Sequence, residues 1–389
     1  MKVYLSPCGI GLGHVGRCIP IAKELKSRGA EIVFSTYRDG VKYVEREKFP
    51  LIKVPPIGFK VKPDGTVDFK QTAVNPGLFA IFTLLKQIKV EVKIIKNINP
   101  DVVVSDSRVS PLIAARLLGV PRLCILNQFQ IIVPRKKRFL RVSKLVDAGA
   151  LAIIGKIWTT GMQVLIPDFP SPFTISMGNL HIPNSYRKRV KLIGPILPLH
   201  PNSLPDSEVL RKQLGLQSGK PVIFAPISGP LEERFYLIQL LQKIFMDFPK
   251  DYQIVMSQGY PNAPESFVRY GNARIFRWIS NRFEYLKACD LVISRAGHGT
   301  LMHSICYGKP MILIPTPNHT EQLNNAKRAT ELGVAKMIEQ ENLCKETLLQ
   351  AIKETLNNEE MKEKVKDLEK MVSKIDGLKT AVESILNTC

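Results

Sequence analysis

The segment Pro7-Cys8-Gly9-Ile10-Gly11-Leu12-Gly13-His14-Val15-Gly16-Arg17 directly follows an apolar run, Lys2–Ser6, and leads into a helical pattern. Glycines let backbone N–H groups approach a ligand, and a helix N-terminus favours negative charge. Gly11, Gly13 and Gly16 have the GxGxxG spacing of a dinucleotide loop. Such a site also needs an acidic residue about 20 positions on. The next strand ends instead in Ser35 and Thr36, with Asp39 beyond it, so a dehydrogenase fits poorly. His14 is the unusual member of the loop. An imidazole at a helix N-terminus is held towards the neutral form a general base needs; a capping or packing histidine is the plainer alternative. Asp106 ends the apolar run VVVSD. A carboxylate at a strand tip can orient a histidine, as in a hydrolase triad, or cap the next helix.

A second loop, Ser294-Arg295-Ala296-Gly297-His298-Gly299-Thr300, also follows a strand and opens a helix. It is read as a second anion site, with His298 or Thr300 as side-chain donors. Asn318, His319, Thr320, Glu321 and Gln322, with Asn325, form a polar cluster after the strand MILIP. They are suited to reading hydroxyl groups, or to capping a helix. Between Arg135 and Lys144 six basic residues (Arg135, Lys136, Lys137, Arg138, Arg141 and Lys144) are interleaved with Phe139 and Leu140. A charge run is often a solvated face; with apolar neighbours it suits an anionic lipid surface.

These residues need rigid elements behind them. The first half reads as strand Lys2–Ser6, helix 16–28, strand Ile32–Ser35, helix 79–97, strand Val102–Ser105, a helix ending at Gly119, and strand Arg122–Leu126. The second half repeats the alternation, with strands Val222–Ala225, Tyr252–Met256, Leu291–Ser294 and Met311–Ile314 and helices 232–246, 300–307 and 321–332. Two β-α-β runs predict an α/β protein with two Rossmann-like, doubly wound parallel sheets. Ligands of such sheets sit at the carboxyl ends of the strands, and a cleft between domains is the expected site. The proline-rich stretch 192–205 predicts the linker. The domains are thus 1–196 and 197–389, with the last helix free to pack back on the first. The charged stretch after Asn358 reads as a solvated helix.

The chain has 389 residues, 45% of them hydrophobic, which excludes disordered and fibrous classes. No apolar stretch nears the ~18–20 residues of a membrane span, and residues 1–10 do not read as a signal peptide. Seven cysteines without a CxxC suggest neither a disulfide framework nor a zinc cluster, and a cytoplasmic location is expected. The net charge of +21 is unevenly spread: residues 1–196 carry +19 and residues 197–389 carry +2. An excess confined to one half implies an anionic partner there.

With these motifs the chain resembles the GT-B glycosyltransferases over nearly its whole length. It is most similar to family 28, which includes the bacterial peptidoglycan N-acetylglucosaminyltransferase acting on a lipid-linked acceptor; UDP-glycosyltransferases are more distant. The strongest likeness is in RWISNRFEYLKACDLVISRAGHGTLMHSICYGKPMILIPTPNHTEQLNNA. It implies that Trp278 and Ile279 line the base and that Gly297, His298, Gly299 and Thr300 meet the diphosphate. Glu321 and Gln322 reach the sugar hydroxyls, and Ser228 and Gly229 approach the donor phosphate or sugar. His303 stands where the family usually has a glutamate for the ribose. In the first half, His14 matches the family's loop histidine and Asp106 the aspartate that partners it. Gly11, Gly13, Asn127 and Gln128 fall on the acceptor side.

The resemblance implies an inverting transfer of a hexose or N-acetylhexosamine from a UDP-sugar, with no metal or other cofactor. The expected partners are the nucleotide sugar, a lipid-linked or other anionic acceptor and the inner face of an anionic membrane, where attachment would be peripheral. The alternatives are a soluble small-molecule glycosyltransferase, a nucleotide-sugar 2-epimerase and a nucleic-acid-binding protein. The last has no RNA-binding motif to support it.

Overall fold

The computed structural model describes residues 1–56, 77–128, 163–180, 182 and 184–388. The chain divides into two compact units. One holds the described residues of 1–196 together with Asp376–Cys389, and the other holds Leu197–Ile375.

The first unit is built on seven strands: β1 (Lys2–Pro7), β2 (Glu31–Thr36), β3 (Leu51–Lys53), β4 (Val102–Asp106), β5 (Arg122–Ile125), β6 (Val164–Ile166) and β7 (Val190–Leu192). They lie in the order β3-β2-β1-β4-β5-β6-β7, and every pairing is parallel. Helices α1 (Gly13–Ser27), α2 (Asp39–Arg46), α3 (Gly77–Ile98) and α4 (Ser110–Leu117) supply the crossovers. Strands buried on both faces must be apolar throughout, and Val102, Val103 and Val104 are fully buried. Gln87, Glu91 and Ile95, at helical spacing, form the buried stripe of α3. Glu91 accepts from the Tyr4 hydroxyl at 2.6 Å and pairs with Arg108 at 2.5 Å, so α3 is tied to the sheet by a buried ion pair as well as by apolar contact.

The second unit repeats the plan with α5 (Ser207–Gln213), β8 (Val222–Pro226), α6 (Leu231–Met246), β9 (Gln253–Ser257), β10 (Phe267–Tyr270), β11 (Ala273–Phe276), α7 (Arg282–Ala288), β12 (Leu291–Ser294), α8 (His298–Cys306), β13 (Met311–Leu313), α9 (Thr320–Glu331), β14 (Ala335–Met337), α10 (Lys345–Leu356) and α11 (Glu359–Val372). Its sheet order is β10-β11-β9-β8-β12-β13-β14. Only β10 runs antiparallel, as the edge of a hairpin with β11. The two doubly wound sheets expected from the alternation are present.

The tail is only in part the solvated helix expected. α11 carries the Glu360–Lys364 pair on its exposed side but buries Val365, Leu368 and Val372. After it, α12 (Gly377–Leu386) belongs to the first unit, where Gly377 sits against the backbone of Gly194 and Pro195. Among the described residues no helix is long and apolar enough to cross a membrane.

Candidate active site

In a doubly wound sheet the chain leaves neighbouring strands in opposite directions at one place, and loops diverge there to open a crevice. In the first unit that place is between β1 and β4, where Pro7 pairs with Asp106. The loop after β1 has glycines of three kinds. A Cβ on Gly9 would lie 1.8 Å from the Tyr37 carbonyl oxygen, so Gly9 is there for packing. Gly11 has φ +70°, and its N–H donates to Asp39 at 3.1 Å. Gly13 has neither constraint, and a Cβ there would meet nothing within 4 Å.

His14 lies in the first turn of α1, and its Nδ1 is 2.8 Å from Asp106 Oδ1. A carboxylate can only accept, so Nδ1 carries the hydrogen and Nε2 keeps its lone pair. One turn on, Arg17 bonds both oxygens of Asp106 through Nε and Nη2, and Nη2 is 3.0 Å from His14 Nδ1 and 3.5 Å from Asn127 Oδ1. Ser107 donates to Asp106 Oδ1 at 3.1 Å. Asp106 is wholly buried, whereas the His14 side chain is 22% exposed. Burial pushes the Asp106 carboxyl up, but Arg17 and then His14 outweigh it and hold it well below the usual carboxylate range. Asp106 does not cap α4, which starts from Val109 without a side-chain cap. Asn127 is buried beside this group and Gln128 is half-buried after it.

In the second unit the strand order reverses between β8 and β12. Ser228 and Gly229 follow β8; Gly229 has φ +118°, and its carbonyl accepts from Arg234 at 2.7 Å. Gly297 is the N-cap of α8, where no side chain caps the helix. A Cβ on Gly297 or Gly299 would meet nothing within 4 Å. The open first turn of α8 can take an anion on its backbone N–H groups. His298 is buried, and Thr300 is half-buried in that turn.

Behind the loop, Arg295 donates to Gln340 at 2.5 Å and to the Glu233 carbonyl at 2.8 Å; burial pushes it down to about 10. Asn325 donates to the Ala296 carbonyl at 3.2 Å, where Ala296 is held at φ +60°. Trp278 and Ile279 are buried after β11, and Trp278 Nε1 donates to Ser280 at 3.1 Å. His303 sits in the last turn of α8 with its ring edge-on to Phe283, centroids 5.1 Å apart. Glu321 is in the first turn of α9. Gln322 Oε1 accepts from the Thr316 N–H at 2.8 Å, which leaves its Nε2 as the available donor. Capping of α9 falls to His319 rather than Asn318 or Thr320.

Arg17 and Arg295 were not singled out as site residues from sequence. The signal for Arg17 was its i+3 spacing from His14, which puts both on one helix face. The segment Arg135, Lys136, Lys137, Arg138, Phe139, Leu140, Arg141 and Lys144 lies outside the described residues. Another basic surface is visible on α3, whose exposed face carries Phe82, Leu85, Lys86, Lys89, Lys93 and Lys96 while its one carboxylate, Glu91, is buried.

Residues 234–380, a stretch that includes the α8 loop, match the glycosyltransferase family 28 C-terminal domain. Over nearly the full length the chain is 28% identical to an uncharacterized glycosyltransferase of Methanosarcina mazei, covering 98% of this chain and 97% of the other. The chain is a glycosyltransferase of GT-B fold whose residues 234–380 match the family 28 C-terminal domain. The glycosyltransferase is also 27% identical to the UDP-N-acetylglucosamine--N-acetylmuramyl-(pentapeptide) pyrophosphoryl-undecaprenol N-acetylglucosamine transferase 1 of Bacillus cereus, with 92% of this chain and 90% of that one covered. Its fold is that of the spinosyn rhamnosyltransferase SpnG, with a TM-score of 0.67 over 100% of both chains at 15% identity.

Proposed function

We propose that this glycosyltransferase moves a hexose or N-acetylhexosamine from a UDP-sugar, with inversion, to a hydroxyl of a lipid-linked acceptor at an anionic membrane surface. The observation that carries the proposal is the His14–Asp106 contact, which leaves His14 Nε2 as an oriented base. His14 Nε2 takes the acceptor's O–H proton while the oxygen bonds to the anomeric carbon. The bond from that carbon to the diphosphate breaks, and the diphosphate leaves with the electron pair. Asp106 balances the imidazolium. The leaving group is met by the N–H groups of the α8 first turn and needs no cofactor in this scheme.

Trp278 and Ile279 serve the base, Ser228 and Gly229 the phosphate or sugar, His303 the ribose, and Glu321 with the Gln322 Nε2 the sugar hydroxyls. Gly11, Gly13, Asn127 and Gln128 serve the acceptor. The activity in the name of the Bacillus cereus relative supports both the uridine donor and the lipid-linked acceptor. The α3 face supports a peripheral membrane position, since four exposed lysines beside Phe82 and Leu85 suit anionic headgroups over an apolar boundary. The Arg135–Lys144 segment is proposed, on its sequence, to bind the same anionic headgroups.

The test is UDP release from UDP-N-acetylglucosamine and UDP-glucose, with an undecaprenyl-diphosphate-linked sugar as acceptor. His14→Ala is expected to lower turnover by ~10²–10⁴ while UDP still binds. Near-normal turnover in His14→Ala would place the base elsewhere.

A further inference from the structure

We propose that Arg17 is a positioning residue for the His14–Asp106 pair, fixing the carboxylate with a two-pronged grip and limiting how tightly the pair holds a proton. The role as stated rests on the reading of His14 as the base. Arg17 and His14 stand three residues apart on α1, and both reach the same buried carboxylate on β4. Two parallel N–H donors fix the carboxylate plane, as a single contact cannot. They also keep it ionised without solvent, so that it can go on accepting from His14 Nδ1.

The second consequence is electrostatic. Arg17 Nη2 is 3.0 Å from His14 Nδ1, and neither group can accept from the other once Nδ1 carries a hydrogen. When His14 gains a proton on Nε2, two cations share one carboxylate at contact distance. The repulsion weakens the hold on that proton. A base that must release its proton after every transfer gains from this arrangement.

The other titratable groups near the pair do not substitute for Arg17. Burial pushes the thiols of Cys8, Cys18 and Cys124 up, so they stay neutral. Asp39 of α2 accepts from the Gly11 N–H, and Arg108 is paired with Glu91.

The test uses the full chain labelled with ¹⁵N histidine and arginine. The His14 imidazole signals are identified by their loss in His14→Gln. In the wild type the neutral ring should be the Nδ1–H tautomer. In Arg17→Gln, and equally in Arg17→Met, the titration of the His14–Asp106 pair should move to higher pH by about 1 unit or more, because a neighbouring cation has been removed. A titration that stays put or moves down overturns the proposal. Should neither variant fold, the wild type still decides. The Arg17 Nε–H signal should follow pH with the midpoint of the His14 titration, and an Nε–H signal indifferent to that titration overturns the proposal. None of these readouts uses a sugar or an acceptor, so failure here and failure of the transferase reading are told apart.

Discussion

Gly13, Gly297 and Gly299 lie outside the left-handed region, and a methyl group on any of them would strike no neighbour. Packing within the chain gives no reason for glycine there, whereas a ligand lying against the backbone does. Gly299, inside α8, gives the cleanest experiment. Gly299→Ala should raise stability by about 0.4–1 kcal/mol through the unfolded chain. It should also weaken UDP binding at least ~10-fold, as the methyl group enters the space the diphosphate would occupy. Thermal melting and calorimetry on one sample read both effects, and unchanged UDP affinity would remove the phosphate role from the loop.

Asp106 makes a pH prediction of definite sign. Its folded carboxyl is held below the ordinary range, so the stability it contributes is fully present above the unfolded value near 4 and is lost as pH falls below it. Asp106→Asn should therefore melt below the wild type at pH 7, and the gap should narrow from about pH 4 downwards. A gap independent of pH would contradict this account of the carboxylate. His14 and Asp106 were legible as candidates because loop and strand-tip positions can be read from sequence. Arg17 was not, because its importance depends on a carboxylate 89 residues away.

The strands easiest to read were those inside largely apolar runs of four residues or more, β1, β2, β4, β5, β8, β9, β12 and, within MILIP, β13. Three-residue strands such as β3, β6, β7 and β14 are too short to show a period, and they form because a neighbour's ladder is already in place. The exposed hairpin strand β10 has no buried face to leave a pattern, and all four of its residues are exposed. The tail helix reads as solvated because its charges outnumber its apolar stripe; its outer face does carry the Glu360–Lys364 pair, while Val365, Leu368 and Val372 are buried.

α3 carries the prediction at this scale. Replacing Lys86, Lys89, Lys93 and Lys96 by Ala should sharply reduce co-sedimentation with anionic vesicles, at about 1 kcal/mol per lysine near the surface. Wild-type binding should weaken between 0.1 and 1 M salt as the Debye length falls from ~10 to ~3 Å. Undiminished binding of the quadruple variant would remove α3 from the docking surface.

At the scale of the whole chain, the charge asymmetry and the fold divide the labour in the same way. Residues 1–196, with +19, hold the His14–Asp106 pair, while residues 197–389, with +2, hold the open α8 loop. Both sets of residues lie where the strand order of their sheet reverses, which is why an alternating β-α pattern sufficed to locate them approximately. The last helix does not respect the linear division, since α12 joins the first unit. The proposed function requires the second unit to hold a uridine nucleotide. Calorimetric titration of UDP into the full chain tests it most directly. The account predicts one saturable site, weaker for GDP and TDP, with affinity kept in His14→Ala and reduced in Gly299→Ala. No binding of any nucleoside diphosphate at millimolar concentration would contradict it.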